Sequence, residues 1–417
     1  MKLPQRTKTH SKPKSSQSLE GRYQVEINGL NHQGQGVTKV QGKTVFVEGA
    51  IPGDQALIQI YKDETQLAYA RTIELLQKSK DRVEPFCRYF GECGGCRLQM
   101  QAPSAQVACK ESNLIEQLKR HLDCRKMTVE LAFQAQTQHY RRRAKMVLVK
   151  DKTDKAPRLG FKAFHSDTVI DIEDCPILTE GLNQALPSIR FELLPKASRQ
   201  ARDVFLLETA QGSWVTSDVY QSRPTDDSPY YQIDNLKLEF EAQGFIQVHA
   251  EVNHALVQQA INWLAPQSHE RVLDLFCGVG NFTLPLAQKA GLVVGVEGDQ
   301  SALNHAKMNA QTNGLTNIEL YQTDLFKTPD YQAWWSQAFD AILLDPGRLG
   351  AKTLSEQLGR FEAKRIVYVS CQSATLIRDL QSLQTQGYRL KRVQVFDMFP
   401  HTDHFETLVL LEKKFIN

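Results

Sequence analysis

Residues 271–282 read RVLDLFCGVGNF, and the fold turns on them. A short apolar run, Val272 to Phe276 broken only by Asp274, has the length and content of a buried strand. It passes into Gly278 and Gly280 and then into an apolar stretch of helical composition. Two glycines there let the backbone turn tightly and approach a ligand at the start of a helix. Helix HALVQQAINWLA precedes this unit. Helix LPLAQKA, strand LVVGVE, helix SALNHAKMNAQTNG, and strands IELYQTD, DAILLD and RIVYVS follow it. Helix ATLIRDLQSLQTQG and strands RLKRVQVFDMF and ETLVLLEK close the chain, with Gly314 and Gly387 where helix C-caps belong. Strands alternating with helices predict a parallel doubly wound sheet, with its ligands at the carboxyl ends of the strands. The strand–strand ending predicts an antiparallel hairpin at one edge.

Glu297 ends the second strand of this series, where a carboxylate can accept hydrogen bonds from ribose hydroxyls. That pattern suits a dinucleotide or S-adenosylmethionine. Position 283 is Thr, so the third glycine of a dinucleotide fingerprint is missing, and DLFCGVG resembles the opening of class I methyltransferases. Asp324 and Asp345 end the next two strands, as loop acids or as ligand contacts.

Cys371 follows strand RIVYVS, just before a helix. A cysteine there is either a small buried hydrophobe or a thiol whose pKa the helix N-terminus lowers. A nucleophilic thiolate has a use on this face of the sheet. Carbon 5 of uracil is too electron-poor to attack a methyl sulfonium, but thiolate addition at carbon 6 makes carbon 5 nucleophilic. A base must then remove the carbon 5 proton, and Glu406, in DMFPHTDHFETLVLL, is the candidate. His401 and His404 beside it make a poor zinc site, because they share one extended segment.

Upstream, residues 21–80 alternate short apolar runs with Asn-Gly, Gln-Gly and Pro-Gly-Asp turns, which predicts a small OB-like β-barrel. The stretch resembles the TRAM module, which would bind RNA; a plain structural barrel is the alternative. Residues 1–20 carry Lys2, Arg6, Lys8, Lys12 and Lys14 among Pro, Ser and Gln, and read as a disordered basic tail. Residues 81–240 mix strands with helix SNLIEQLKRHL and read as an α+β central domain. Residues 241–417 form the doubly wound domain. In the central part, HYRRRAKM sets Arg141, Arg142, Arg143 and Lys145 beside Tyr140, as a polyanion contact or as a solvated face.

Cys87, Cys93 and Cys96 are spaced C-x5-C-x2-C, and Cys175 precedes Pro176 far downstream. Zinc sites usually pair two C-x2-C knuckles, whereas three clustered thiols with one remote Cys-Pro suit a [4Fe–4S] cubane; on spacing alone zinc and unrelated thiols stay open as alternatives. Cys109, Cys124 and Cys277 are left as structural thiols. The 417-residue chain is 41% hydrophobic and 23% charged, has no signal peptide and has no apolar run of membrane-spanning length. It reads as a cytoplasmic protein with no membrane partner, in which reduced thiols favour metal or catalytic use over disulfides. A net charge of +3 decides nothing about partners.

FIQV, DLFCGVGNF, GVEG, LLDPGR, YVSC with the helix after it, and DMFPHTDHFET together resemble the uracil-C5 RNA methyltransferases, in order from about residue 21 to the end. The resemblance implies Cys371 as nucleophile and Glu406 as base. It also implies S-adenosylmethionine against Gln247, Phe276, Gly278, Asn281, Glu297, Asp324 and Asp345, and a [4Fe–4S] cluster on Cys87, Cys93, Cys96 and Cys175. With the barrel included, it implies 23S ribosomal RNA as the partner of a monomer that takes no DNA, and phosphate contact by Arg141 to Arg143. The rival readings are a transfer RNA uracil methyltransferase, a cytosine-C5 methyltransferase and a non-catalytic RNA-binding iron–sulfur sensor. Five positions depart from the family pattern: Gln372-Ser373 replaces Asn-Pro, Asp403 replaces a glycine, Gly347 stands in DPGR, and His249 replaces Asn after FIQV. Asp403 is expected to tolerate a left-handed backbone.

Overall fold

In the apolar strands after residue 270, successive side chains point to opposite faces, and both faces are buried. Val272, Val293, Leu343, Val367 and Val369 enter one core; Leu273, Leu275, Val294, Val296, Ile342, Leu344, Ile366 and Tyr368 enter another. A strand read as uniformly apolar is therefore a strand covered on both sides. The computed structural model describes residues 18–31, 33–164, 166–328 and 332–414. The basic tail expected over residues 1–20 lies outside them, apart from Ser18–Glu20.

Eight strands form the sheet, in the order Ile318–Gln322, Leu292–Glu297, Arg271–Leu275, Ala341–Leu344, Arg365–Ser370, Glu406–Lys413, Tyr388–Phe396, Thr128–Val129. The first five are mutually parallel. Glu406–Lys413 runs antiparallel to both its neighbours. The closing hairpin is thus present but inserted, not marginal. Its last strand lies inside the sheet, and the edge is taken by Thr128–Val129, paired parallel to Tyr388–Phe396. Helix Ala250–Leu264 covers one face, with Leu256, Val257 and Ile261 in its core. On the other face, helix Ser373–Thr385 contributes Leu376, Leu380 and Leu383, and helix Pro103–His121 contributes Leu114 and Leu118. Gly314 and Gly387 end their helices with positive φ, 68° and 90°, as glycine C-caps do.

A second sheet is antiparallel throughout, ordered Val169–Asp171, Pro157–Lys162, Arg143–Lys150, Arg202–Thr209, Gly212–Thr216, Gln221–Ser222. Helix Glu180–Leu193 packs on it through Leu182, Leu186 and Ile189. That helix is absent from the sequence reading because Pro187 sits inside it, and an interior proline is read as a helix breaker. Hairpin Tyr230–Ile233/Leu236–Glu239 buries Tyr231, Ile233, Leu236 and Leu238 in the core of the doubly wound sheet.

The chain divides into two compact units between Arg82 and Val83. In the first, six strands are ordered Gly21–Glu26, Gln55–Asp63, Leu67–Gln77, Lys43–Glu48, Gly36–Val40, Gly29–Leu30. The Thr38 hydroxyl donates to the Glu26 carbonyl at 2.7 Å, and Asn28 N–H to the Val37 carbonyl at 2.9 Å, joining the end of the first strand to Gly36–Val40 near the far edge, so the sheet curls toward a barrel. Val45, Val47, Ile58, Ile60, Ala68 and Ala70 fill its interior.

Candidate active site

The site follows from one register. Because Glu406–Lys413 is antiparallel to Arg365–Ser370, with Ser370 opposite Thr407, its first residue lies at the carboxyl end of the parallel strands. Cys371 leaves one strand where Glu406 begins the next. Asp345 arrives beside them from the end of Ala341–Leu344. The Cys371 thiol feels both carboxyls and the Arg348 guanidinium. Burial, then Glu406 and Asp345, push it up to about 12. The thiol is raised, not lowered as its place before a helix suggested, because it is buried and two acids stand beside it. Burial and Asp345 hold Glu406 well above the usual carboxylate range. Burial raises Asp345 to about 7. Such raised, mutually opposed acids mark functional sites.

The helix after Cys371 also holds the loop that brings Arg348. Asp379, fully buried, accepts hydrogen bonds from the Tyr368 hydroxyl and the Ala351 N–H, both at 2.7 Å. The Thr375 hydroxyl donates to the Arg348 carbonyl at 3.2 Å and Arg378 to the Leu349 carbonyl at 2.9 Å. A Cβ on Gly350 would stand 2.6 Å from the Asp379 carboxylate, so the loop needs a glycine there. Arg348 lies in the quoted DPGR, but nothing in its spacing announced its neighbours.

The ligand pocket continues across the strand ends. Glu297 accepts N–H groups of Gly278 at 3.1 Å, Gly298 at 2.7 Å and Asp299 at 2.9 Å, which fixes the glycine turn to the second strand. Gly278 has φ 54° and open space where a Cβ would be, as close approach of a ligand requires; Gly280 instead packs on Leu284. Phe276 holds φ 65°, a conformation kept by its surroundings, and meets Phe326 at 5.8 Å between ring centroids. Gln247 is buried with its side-chain carbonyl unpartnered, an acceptor that a ligand amine would satisfy. Asn281 enters the pocket as one of three linked groups, accepting from the Tyr231 hydroxyl and from Asn253, both at 3.0 Å. Asp324 stands apart and exposed, paired with Lys327 at 2.8 Å. Asp274, fully buried, was missed. Its Oδ2 accepts from the Thr283 hydroxyl at 2.5 Å, its Oδ1 has no partner, and burial raises it to about 7.

Cys87, Cys93, Cys96 and Cys175 line a single cavity of about 160 Å³ with Arg141, Lys145, Tyr89 and Phe161. Burial raises all four thiols, Cys96 to about 12 and Cys175 to about 11. No group of three or more His, Cys, Asp or Glu among the described residues is arranged to hold a metal ion. Arg88, bonded to Glu173 at 3.0 Å, and the Tyr89 hydroxyl, accepting Glu173 N–H at 3.1 Å, tie the two cysteine segments together.

The arginine cluster is not a freely solvated face: each guanidinium donates to a backbone carbonyl. Arg141 Nε donates to the Arg143 carbonyl at 3.1 Å, Arg142 Nε to the Gln247 carbonyl at 2.9 Å, and Arg143 to the Gln243 carbonyl at 2.7 Å. Arg142 also lies over the Tyr231 ring at 4.9 Å. All three are half-buried struts between the cysteine cavity and the donor-side loop. His249, at the N-cap of its helix without capping it, stacks on Tyr140 at 4.9 Å, and the Tyr140 hydroxyl donates to the Pro400 carbonyl at 3.2 Å. Asp403 is not among the left-handed residues; His401 is, at φ 65°.

A model of the tRNA (Uracil-5-)-methyltransferase family matches residues 231–414, and a model of the TRAM domain matches residues 17–73. The 23S rRNA (uracil(1939)-C(5))-methyltransferase RlmD of Vibrio parahaemolyticus is 38% identical over 433 residues, covering 96% of this chain and 98% of its own. The protein of the same name from Aeromonas hydrophila is 35% identical, covering 97% and 99%. Among solved structures, the tRNA (uracil-54, C5)-methyltransferase of Pyrococcus abyssi with S-adenosyl-L-homocysteine superimposes with a TM-score of 0.72 at 21% identity, over 93% of this chain and all of its own. That likeness shows a common fold.

Proposed function

The chain belongs to the uracil-C5 RNA methyltransferase family, and from that premise we propose that it transfers a methyl group from S-adenosylmethionine to carbon 5 of a uridine in 23S ribosomal RNA. The observation that carries the reading is the meeting of Cys371 and Glu406 at the carboxyl edge of the sheet, beside Asp345 and the Gly278 turn. S-adenosylmethionine, held against Gln247, Phe276, Gly278, Asn281, Glu297, Asp324 and Asp345, supplies the methyl group on a sulfonium.

Cys371 gives its proton up to solvent and its thiolate bonds to carbon 6 of a uracil turned out of the RNA stack, the carbon 5–carbon 6 electron pair moving into an enolate. Carbon 5, now nucleophilic, takes the methyl group as the methyl–sulfonium bond breaks, with S-adenosylhomocysteine as the leaving group. Glu406 then removes the carbon 5 proton, the carbon 5–carbon 6 double bond re-forms, and the thiolate leaves. In the protein alone both groups hold protons, since burial raises the thiol and the acid together. A cationic donor next to them favours their charged forms.

We read the four thiols at 87, 93, 96 and 175 as ligands of a [4Fe–4S] cluster that staples the 87–96 loop to the 175 turn. Methyl transfer moves no net electrons, so the role is structural. The barrel of the first unit is the RNA-binding module. We read the protein as a cytoplasmic monomer with no DNA or membrane partner, and no helix among the described residues is long and apolar enough to cross a membrane.

Transfer of labelled methyl to unmodified bulk RNA, followed by nucleoside analysis of separated RNAs, tests the assignment. The expected product is 5-methyluridine in 23S ribosomal RNA. Label confined to transfer RNA would move the substrate, and label on cytosine would overturn the chemistry.

A further inference from the structure

The loop leading to Glu406 is gripped by the segment that follows three of the thiols. Arg97 and Leu98, next after Cys96, donate their N–H groups to the His401 carbonyl at 2.8 and 3.0 Å. Phe86, just before Cys87, meets the His401 ring edge-on at 4.9 Å between centroids. Gln106, in the first turn of helix Pro103–His121 and 1% exposed, closes the contact. Its Oε1 accepts the His401 N–H at 2.9 Å. Its Nε2 donates to the carbonyls of Leu98 at 2.9 Å and Gln101 at 2.7 Å, and lies 3.1 Å from His401 Nδ1. His401 is the left-handed residue of the loop, and a side-chain-bearing residue stays there only while its surroundings hold it. One turn further along the helix, Lys110 bonds Asp397 at 2.7 Å and the Phe399 carbonyl at 3.3 Å, gripping the same loop at its start.

We infer that Gln106 is a positioning residue for Glu406: it locks His401 to the 97–101 segment, so that the register of the cysteine loop sets where the carboxylate stands. This rests on the reading of Glu406 as the base. Gln106 touches no reacting atom. The step it serves is removal of the carbon 5 proton by the carboxylate, with the C–H electrons forming the ring double bond and the carbon 6–sulfur bond breaking. Earlier steps use Cys371 and the donor pocket, and they do not pass through His401.

Single-turnover reactions with an unmodified 23S ribosomal RNA transcript and S-adenosylmethionine separate the steps. For Gln106→Leu, the expected result is methyl transfer within about 3-fold of the native rate and protein release slowed by about 10-fold or more. Methylated RNA should then accumulate on the protein as a denaturation-resistant adduct, with iron content unchanged. Gln106→Glu keeps the acceptor for His401 N–H, and should release faster than Gln106→Leu. Glu406→Gln runs alongside: if it accumulates adduct while both Gln106 variants release at the native rate, or slow transfer and release equally, the inference is overturned. If Glu406→Gln forms no adduct, the reading of Glu406 as base has failed, and this inference with it.

Discussion

Cys371 and the cysteines at 87, 93, 96 and 175 all have their pKa raised by burial, yet one stands alone and four stand together. Cys371 stands alone between two acids and one guanidinium, at the carboxyl edge of the sheet. The other four line one cavity of about 160 Å³, with Arg141, Lys145 and Asp174 in the wall. A lone thiol beside an acid can bond to a ring and have a proton handled next to it. Four thiols lining one cavity can, once deprotonated, share a ligand. Residue type is the same in both places, and the number and charge of the neighbours assign the chemistry.

The sharpest way to break that contrast is to exchange the losses. Cys371→Ala should reduce methyl transfer by roughly 10⁴-fold or more while iron, measured by chelation assay, stays bound. Cys96→Ser should lose the iron yet still form the Cys371 adduct with RNA. Iron lost from both variants would merge the two regions into one. Next in size, Glu406→Gln should slow turnover by about 10²–10⁴-fold and leave protein bonded to methylated RNA on a denaturing gel. Unbonded protein alone would assign the base elsewhere.

A third prediction concerns the joint between the two regions. Burial lowers His401 to about 4, below its ordinary 6.5. Between those values the unfolded chain binds the proton and the folded one does not. His401's contribution is therefore complete above about pH 6.5 and is lost as pH falls toward 4, on the order of 3 kcal/mol. Denaturant melts across that window should show the slope, and His401→Gln should flatten it. An equal slope in the variant would place the titration elsewhere. The smallest effect is at the start of the helix after Cys371. Gln372 is its N-cap but makes no side-chain cap, and Ser373 occupies the first turn. Gln372→Asn with Ser373→Pro should raise stability by about 1 kcal/mol, read as a higher melting temperature.

The strand-end half of the site was legible because it is a product of order along the chain. Glu297, Asp345 and Cys371 each stand at or just past the end of an apolar strand, and a parallel sheet brings such positions to one edge. The four cysteines were legible as a set, because their spacing is itself the signal. What stayed hidden depends on contacts between distant segments. Asp274 lies within an apolar run, and only its burial beside Thr283 distinguishes it. Arg141 to Arg143 read as surface charge, since nothing local shows that backbone carbonyls at 143, 243 and 247 receive them. The edge strand Thr128–Val129 is two residues long, too short for any periodicity. Helix Pro103–His121 begins well before its apolar stripe, because Gln106 and Lys110 are among its buried residues.

That helix has a consequence for how the molecule is made. Lys110 meets its carboxylate partner 287 positions further along the chain, and Leu114 and Leu118 pack beneath strands that come later still than the cysteines. At roughly 5–20 residues per second, a ribosome leaves the amphipathic segment without its receptor for about 15–60 s. During that interval its apolar stripe and its ammonium are open to chaperones and to other nascent chains. Yield in the cell should therefore respond to holdase supply and translation speed more than the finished protein's stability alone would suggest.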